Sequence, residues 1–276
     1  MKRIIITVLI LTLCLSVFSQ EKTIKTGWNI GGVPAITYST DLGFQYGVVL
    51  NLFDYGDGSG YPSYDQKFYF EVSRFTKGSS TYRLMYETKT LIPGVNITSD
   101  LAYLTDQAYD FYGFNGYEAV YNEEWTDSDL DASIYRSRLF YNTDRKLFRF
   151  KNDIKGKLAG NHFQWNAGLE LKNFKFGPVD VEKLNKGKDD NLLPDIDGLY
   201  DKYVNWGLIG ADEAGGGFIT TIKAGITYDS RDFEANAMKG IWVETGVEAS
   251  PSFISDAGFA KFFAIYRQYF TIIPED

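Results

Sequence analysis

The sequence predicts an all-β chain, an antiparallel transmembrane barrel. Three observations carry this: segments of about ten residues in which apolar and polar side chains alternate, abundant aromatics, and an export leader. Tyr and Phe number 20 and 21 in 276 residues, with 27 Gly, yet the mean hydropathy is −0.23. Such a chain is slightly polar overall because each strand keeps its apolar residues on one face.

The leader reads "MKRIIITVLILTLCLSVFSQE". Lys2 and Arg3 precede an apolar run from Ile4 to Phe18, and Val17 and Ser19 suit the small-residue rule for cleavage before Gln20. Residues 1–19 are therefore expected to be a signal peptide, 20–26 a short periplasmic N-terminus and 27–276 one barrel domain. The run is shorter than the ~20 residues a spanning helix needs. Cys14, the only cysteine, falls inside the leader behind Leu13, where a lipid-anchor site would carry a small residue. Disulfides, thiol catalysis and cysteine metal sites are thus excluded for the mature chain. Losing Lys2 and Arg3 moves the formal net charge from −8 to about −10, which argues against nucleic acid as a partner.

Period-two alternation places the strands. In "LGFQYGVVLNLF", Leu42, Phe44, Tyr46, Val48, Leu50 and Leu52 share one face, and Gly43, Gln45, Gly47 and Asn51 the other. In "FQWNAGLELK", Phe163, Trp165, Ala167, Leu169 and Leu171 oppose Gln164, Asn166, Gly168, Glu170 and Lys172. In "LFRFKNDIKGKL", the polar face is Arg149, Lys151, Asp153, Lys155 and Lys157. Strands are expected over 27–38, 42–53, 66–77, 81–90, 95–106, 146–158, 163–176, 217–230, 241–250 and 258–272. A secreted β-sandwich also alternates. The leader, the ten-residue spacing and the aromatics near strand ends favour the membrane barrel.

Compact segments such as "YSTDLG", "TKGSST" and "LAGNH" supply turn chemistry between strands. Long loops of such barrels face the outside and short turns the periplasm. The two longest connections, 107–132 and 177–216, share a side only if 133–158 crosses once, so 133–145 is expected in the external loop or as a strand extension. No internal repeat, low-complexity tract or helical period stands out.

The stretch "GITYDSRDFEANAMKGIWVETGVEAS" resembles the hairpin signature of the bacterial surface antigen superfamily, the outer-membrane assembly family that includes BamA and TamA. The family pattern is a strand ending Tyr-Asp-x-Arg-Asp, a turn, then Lys-Gly or Ser-Gly opening the next strand with an aromatic. Tyr228, Asp229, Arg231, Asp232, Lys239, Gly240 and Trp242 match it, while Ala237 and Met238 stand where a Pro is usual. "DFYGFNGYEAVYN" (110–122), "RKLFRFKNDIKGKLAG" and "FAKFFAIYRQYFTIIPED" are similar to further parts of that family. Period two puts Ile226 and Tyr228 on the lipid-facing side, and Lys223, Thr227, Asp229 and Arg231 on the lumen side near the periplasmic mouth. Asp229, Arg231 and Asp232 are expected to pair locally and set the hairpin's register.

The resemblance implies about sixteen strands and a long loop tipped Arg-Gly-Phe or Arg-Gly-Tyr. Neither tripeptide occurs, and the chain reaches Asp276 after about ten strands. A partial barrel, the N-terminal portion of a longer one, is the expectation, with a complete ten-stranded barrel as the alternative. The likeness is to the branch without periplasmic transport-associated domains.

Assisted insertion or translocation of proteins at the outer membrane follows as the expected function. Gly31, Gly32 and Pro34 would weaken pairing of the first strand and make it a seam. The partners implied are outer-membrane lipid and client outer-membrane or secreted proteins. A passive pore is the alternative, with Arg149, Lys151, Lys155 and Lys157 as a basic lumen wall. A hydrolase is disfavoured, because His162, the sole histidine, sits in a turn with no serine or acid beside it by spacing. No cofactor or metal is expected: "DDNLLPDID" (189–197) and "YGDGSGYPSYD" (55–65) do not follow the calcium-loop spacing. They read as solvated loops.

Overall fold

Alternating residues pair edge to edge into one antiparallel sheet of eleven strands. The computed structural model describes residues 24–114, 119–234 and 236–272. The expected leader with Cys14, the start of the 20–26 segment and residues 273–276 lie outside the described residues.

β1 (Trp28–Pro34) and β2 (Thr37–Ser39) pair in succession with β3 (Gly43–Asp54). They stand where a single strand is expected over 27–38, and the break follows Pro34, which has no N–H to donate. A meander follows: β4 (Gln66–Phe75), β5 (Ser80–Ile92), β6 (Val95–Asp110), β7 (Asn142–Ala159), β8 (Phe163–Gly177), β9 (Gly216–Asp229), β10 (Gly240–Ser250) and β11 (Phe259–Tyr269). β6 and β7 run further than their alternation extends, to Asp110 and from Asn142. Residues 133–141 form no strand, so β7 crosses once and the loops 111–141 and 178–215 emerge at the same end. Tight turns at 93–94 and 160–162 mark the opposite, short-turn end. Among the described residues, β1 and β11 have no partner on their outer edges, which makes the sheet an incompletely closed barrel.

Register turns the period-two pattern into rows. On the convex face Val48, Val72, Tyr82, Tyr103 and Phe148 align, and below them Leu50, Phe70, Leu84, Leu101, Phe150 and Leu171. Phe44, Tyr46, Phe70, Tyr103, Phe148, Ile222 and Ile226 are all exposed. From Tyr103 to Val95 is roughly 27 Å of strand, which at a tilt of about 40° spans about 20 Å, near the ~25 Å apolar band of a membrane barrel. Aromatics border the band: Tyr82 stacks on Tyr103 at one edge, and Phe68 on Tyr86 and Phe163 against Tyr228 at the other. Opposite Trp165, Gly156 leaves room for the indole, since a Cβ there would lie 2.7 Å from the ring nitrogen.

Apart from Ala102 and Leu147 in the sheet, the buried apolar side chains lie in the long loops. Phe140, Tyr141, Leu193 and Ile209 are buried there, with Leu184 on α1 (Val181–Asn185) and Tyr200 on α2 (Leu199–Asn205). Phe111 meets Tyr200 edge-on at 5.2 Å, and Phe140 meets Tyr141 at 5.0 Å and Trp125 at 5.2 Å. Strand β8 changes phase to face this cap: its inward residues Lys172, Phe174 and Phe176 turn from polar to aromatic, while Asn173 and Lys175 are exposed on the convex side.

The cap is tied around the rim. Lys183 donates to Gln107 Oε1 at 3.0 Å, Lys77 donates to the Lys186 carbonyl, and Lys188 reaches Asp41 at 3.4 Å. Arg138 bonds both Asp41, at 3.0 Å, and the Asn191 carbonyl, at 2.8 Å. Asp41 lies in the β2–β3 turn, four strand spacings or roughly 19 Å along the sheet from β7, so these bonds require the sheet to curl.

Candidate functional site

The β9–β10 hairpin gathers the motif residues. Tyr228 pairs in register with Val243, and Asp229 with Trp242. Arg231, two residues beyond Asp229, clamps that carboxylate with two bonds, Nε to Oδ1 at 2.9 Å and Nη2 to Oδ2 at 2.7 Å. Its third branch donates to the Glu234 carbonyl at 3.0 Å, and the guanidinium lies 6.0 Å from the centre of the Trp242 ring. Asp232 organises the far side of the turn, with Oδ1 accepting from the backbone N–H of Phe233, Met238 and Lys239 at 2.9, 3.0 and 3.2 Å. Those N–H groups, Lys239's foremost, hold its carboxyl below the usual range. Gly240 sits at φ +111°, where a Cβ would lie 2.3 Å from the Ser230 carbonyl oxygen. His162 packs beside the motif, Nδ1 3.0 Å from the Asp229 carbonyl, and its own carbonyl accepts from Asp229 N–H at 2.9 Å.

Held this way, the turn sends Glu234 across the short-turn mouth. Its carboxylate lies 2.8 Å from Lys155 Nζ on β7 and 3.7 Å from Lys89 Nζ on β5. A cavity of about 460 Å³ remains beneath it, walled by Tyr64, Glu87, Thr98, Lys155 and Phe233. Tyr64 donates to Glu87, and burial together with that carboxylate pushes its phenol well above the ordinary value.

The concave face is wired by ion pairs. Asp100 is 6% exposed and accepts from both Arg83, at 3.0 and 2.7 Å, and Arg149, at 2.7 Å. Lys151 meets Asp153 at 2.8 Å, Lys172 meets Glu170 at 3.1 Å and Lys223 meets Glu244 at 2.7 Å. Of the four cations expected to make a basic wall, Arg149, Lys151 and Lys155 each face a carboxylate, and Lys157 is exposed at the short-turn end. The wall is charge-compensated, because the register brings acids of β6, β7 and the β9–β10 turn against the basic residues of β7.

At the open edge, Gly31, Gly32 and Pro34 pair with Asn51, Leu50 and Val48 of β3. An added Cβ at Gly31 would meet nothing within 4 Å, whereas at Gly32 it would lie 2.6 Å from Leu50 Cδ2. Alternation of single strands does not single out Asp41, Asp100 or Glu234. Each acts on residues far away in sequence, and only strand register assigns their partners. Among the described residues no cluster of His, Cys, Asp or Glu is arranged to hold a metal, and no helix is long and apolar enough to cross a membrane.

No family model matches this chain, and no curated protein does. Among solved structures it is similar to the crystal structure of BamA from Haemophilus ducreyi lacking POTRA domains 1–3, at 14% identity and a TM-score of 0.40, over 82% of this chain and 34% of that one. The chain thus spans about a third of the length of the protein it matches.

Proposed function

We propose that this chain is an outer-membrane β-barrel protein of the surface antigen superfamily, and that it assists insertion or translocation of other proteins at that membrane. The observation that carries the reading is the weak pairing built into β1. This strand meets β3 over only seven residues, carries two glycines and ends in a proline, which has no N–H to donate, so it suits a strand that exchanges partners. The apolar convex face, the polar concave face and the matched hairpin residues support the membrane and family parts of the reading. Its partners are outer-membrane lipid and client outer-membrane or secreted proteins, and the role is non-enzymatic.

Reconstitution into phospholipid vesicles tests this. An unfolded small outer-membrane barrel protein is added, and its folding is followed by heat-modifiable gel migration. Vesicles holding this chain should fold the client severalfold faster than empty ones, and equal rates would remove the assembly role.

A passive pore is the second reading, favoured by the wet concave face. The compensated lysines and arginines, with Glu234 across the mouth, predict small conductance without anion preference. A large, steady single-channel conductance would favour the pore.

A further inference from the structure

At the long-loop edge of the apolar band lies a pocket of about 330 Å³ on the convex side, lined by Arg74, Tyr82, Tyr103, Lys146 and Lys183 among others. We propose that it binds the net-anionic, phosphate-bearing headgroup of a membrane lipid in the leaflet at that end. The proposal rests on the membrane reading above.

Three elements bring the cations together. Arg74 and Lys146 lie on the convex face of β4 and β7, the two strands that flank those of Tyr82 and Tyr103, at one level of the sheet: Arg74 pairs with Ser80, Ser80 with Thr105 and Thr105 with Lys146. Lys183 arrives from α1, over the rim. It fits because Gly78, at φ +114°, has no side chain, and a Cβ there would lie 2.3 Å from the Lys183 ammonium nitrogen. Lys183 is oriented by Gln107, which in turn donates to Asp144 at 2.8 Å. Asp144 and Asp180 also line the pocket and answer part of the charge, with Lys146 3.6 Å from Asp144. Three cations against two carboxylates leave an excess of positive charge. Arg74 is exposed and has no ion pair among the described residues. A phosphate is the group that several cations lining one pocket recognise.

The floor selects a lipid over a soluble phosphate. Directly below the cations, Tyr82 and Tyr103 stack with ring centres 6.5 Å apart, and the next row down is Leu84 and Leu101. A headgroup in the pocket would therefore lay the start of its acyl chain along the exposed Leu84 and Leu101.

The test uses the full chain in phosphatidylcholine bilayers, with spin-labelled phosphatidic acid or spin-labelled phosphatidylcholine as probe, read as the motionally restricted lipid at the protein surface. Phosphatidic acid should be preferred about fivefold or more, as expected for one or more unscreened cations near a membrane surface. The triple variant R74Q/K146Q/K183Q should lose the preference, while K25Q/R136Q/K202Q, which removes equal charge elsewhere, should keep it. Because K183Q alone alters a residue outside the sheet, it should lower the preference even if the triple variant fails to fold. Equal restriction of both lipids by the native chain, or equal loss in the control variant, would overturn the site. So would removal of the preference by millimolar inorganic phosphate, which would mark a soluble-anion site. Absence of restricted lipid with either probe would instead overturn the membrane reading along with it.

Discussion

The Glu234 carboxylate and the Lys155 ammonium meet at 2.8 Å, although β8 lies between β7 and the hairpin that carries Glu234. The contact exists because Arg231 and Asp232 fold the turn inward over the concave face. The hydrogen bond from Lys155 holds the Glu234 carboxyl below its ordinary 4.5, helped by the charges of Lys155 and Lys89. A depressed folded pKa means the tether is present in full above pH 4.5 and is lost as pH falls through the lower folded value. A spin label at Met238→Cys should accordingly be immobile at neutral pH and become mobile in acid, and E234Q should be mobile throughout. Equal mobility across that range in the parent would contradict the tether.

Arg231 makes its two bonds to Asp229 while only 14% of its side chain is exposed. R231A removes charge-assisted hydrogen bonds worth about 2 kcal/mol and leaves the carboxylate uncompensated. Its urea midpoint should fall, and less of the chain should show heat-modifiable gel migration. Parental behaviour in both would leave the clamp without a role in the hairpin.

Asp100 separates two arginines. D100A leaves Arg83 and Arg149 facing each other across Ala102 and should cost about 3–5 kcal/mol, as for other broken buried pairs. K172A disrupts a single pair whose acid, Glu170, has a side chain 23% exposed against 9% for that of Asp100, and should cost no more than about 1 kcal/mol. Urea titration of both variants in the same lipid checks the order, which the account requires to be this one.

Phe140 is 3% exposed in the loop cap, away from the convex apolar rows. F140A opens a cavity costing about 3–5 kcal/mol, and that loss should fall on the cap. Protease should then cleave 111–141 and 178–215 faster while heat-modifiable migration persists. Loss of the whole fold would show that cap and sheet form one cooperative unit.

Strand positions are legible in the sequence because alternation is a property of neighbours. β3, β8 and β9 show it over most of their length, and Asp229 with Arg231 is an i, i+2 pair that any strand reading puts on one face. Contacts that close the structure are not local. Arg138 and Asp41 are 97 residues apart and Lys155 and Glu234 are 79, so each depends on curvature and register that no single segment encodes. The cap escapes notice for another reason: α1 and α2 have five and seven residues, too few for a helical period to emerge. Its one local trace is the phase change at Phe174 and Phe176, where aromatics move onto the polar parity of β8.

The central claim is that the convex face lies in lipid and the concave face is wet. Four consecutive residues of β4 decide it. Single cysteines at Phe70, Glu71, Val72 and Ser73, each labelled with a fluorophore in bilayers, are exposed to nitroxide lipids and, separately, to an aqueous quencher. The account predicts lipid quenching at 70 and 72 and weak lipid quenching at 71 and 73. Equal lipid quenching at all four, or aqueous quenching strongest at 70 and 72, would contradict it.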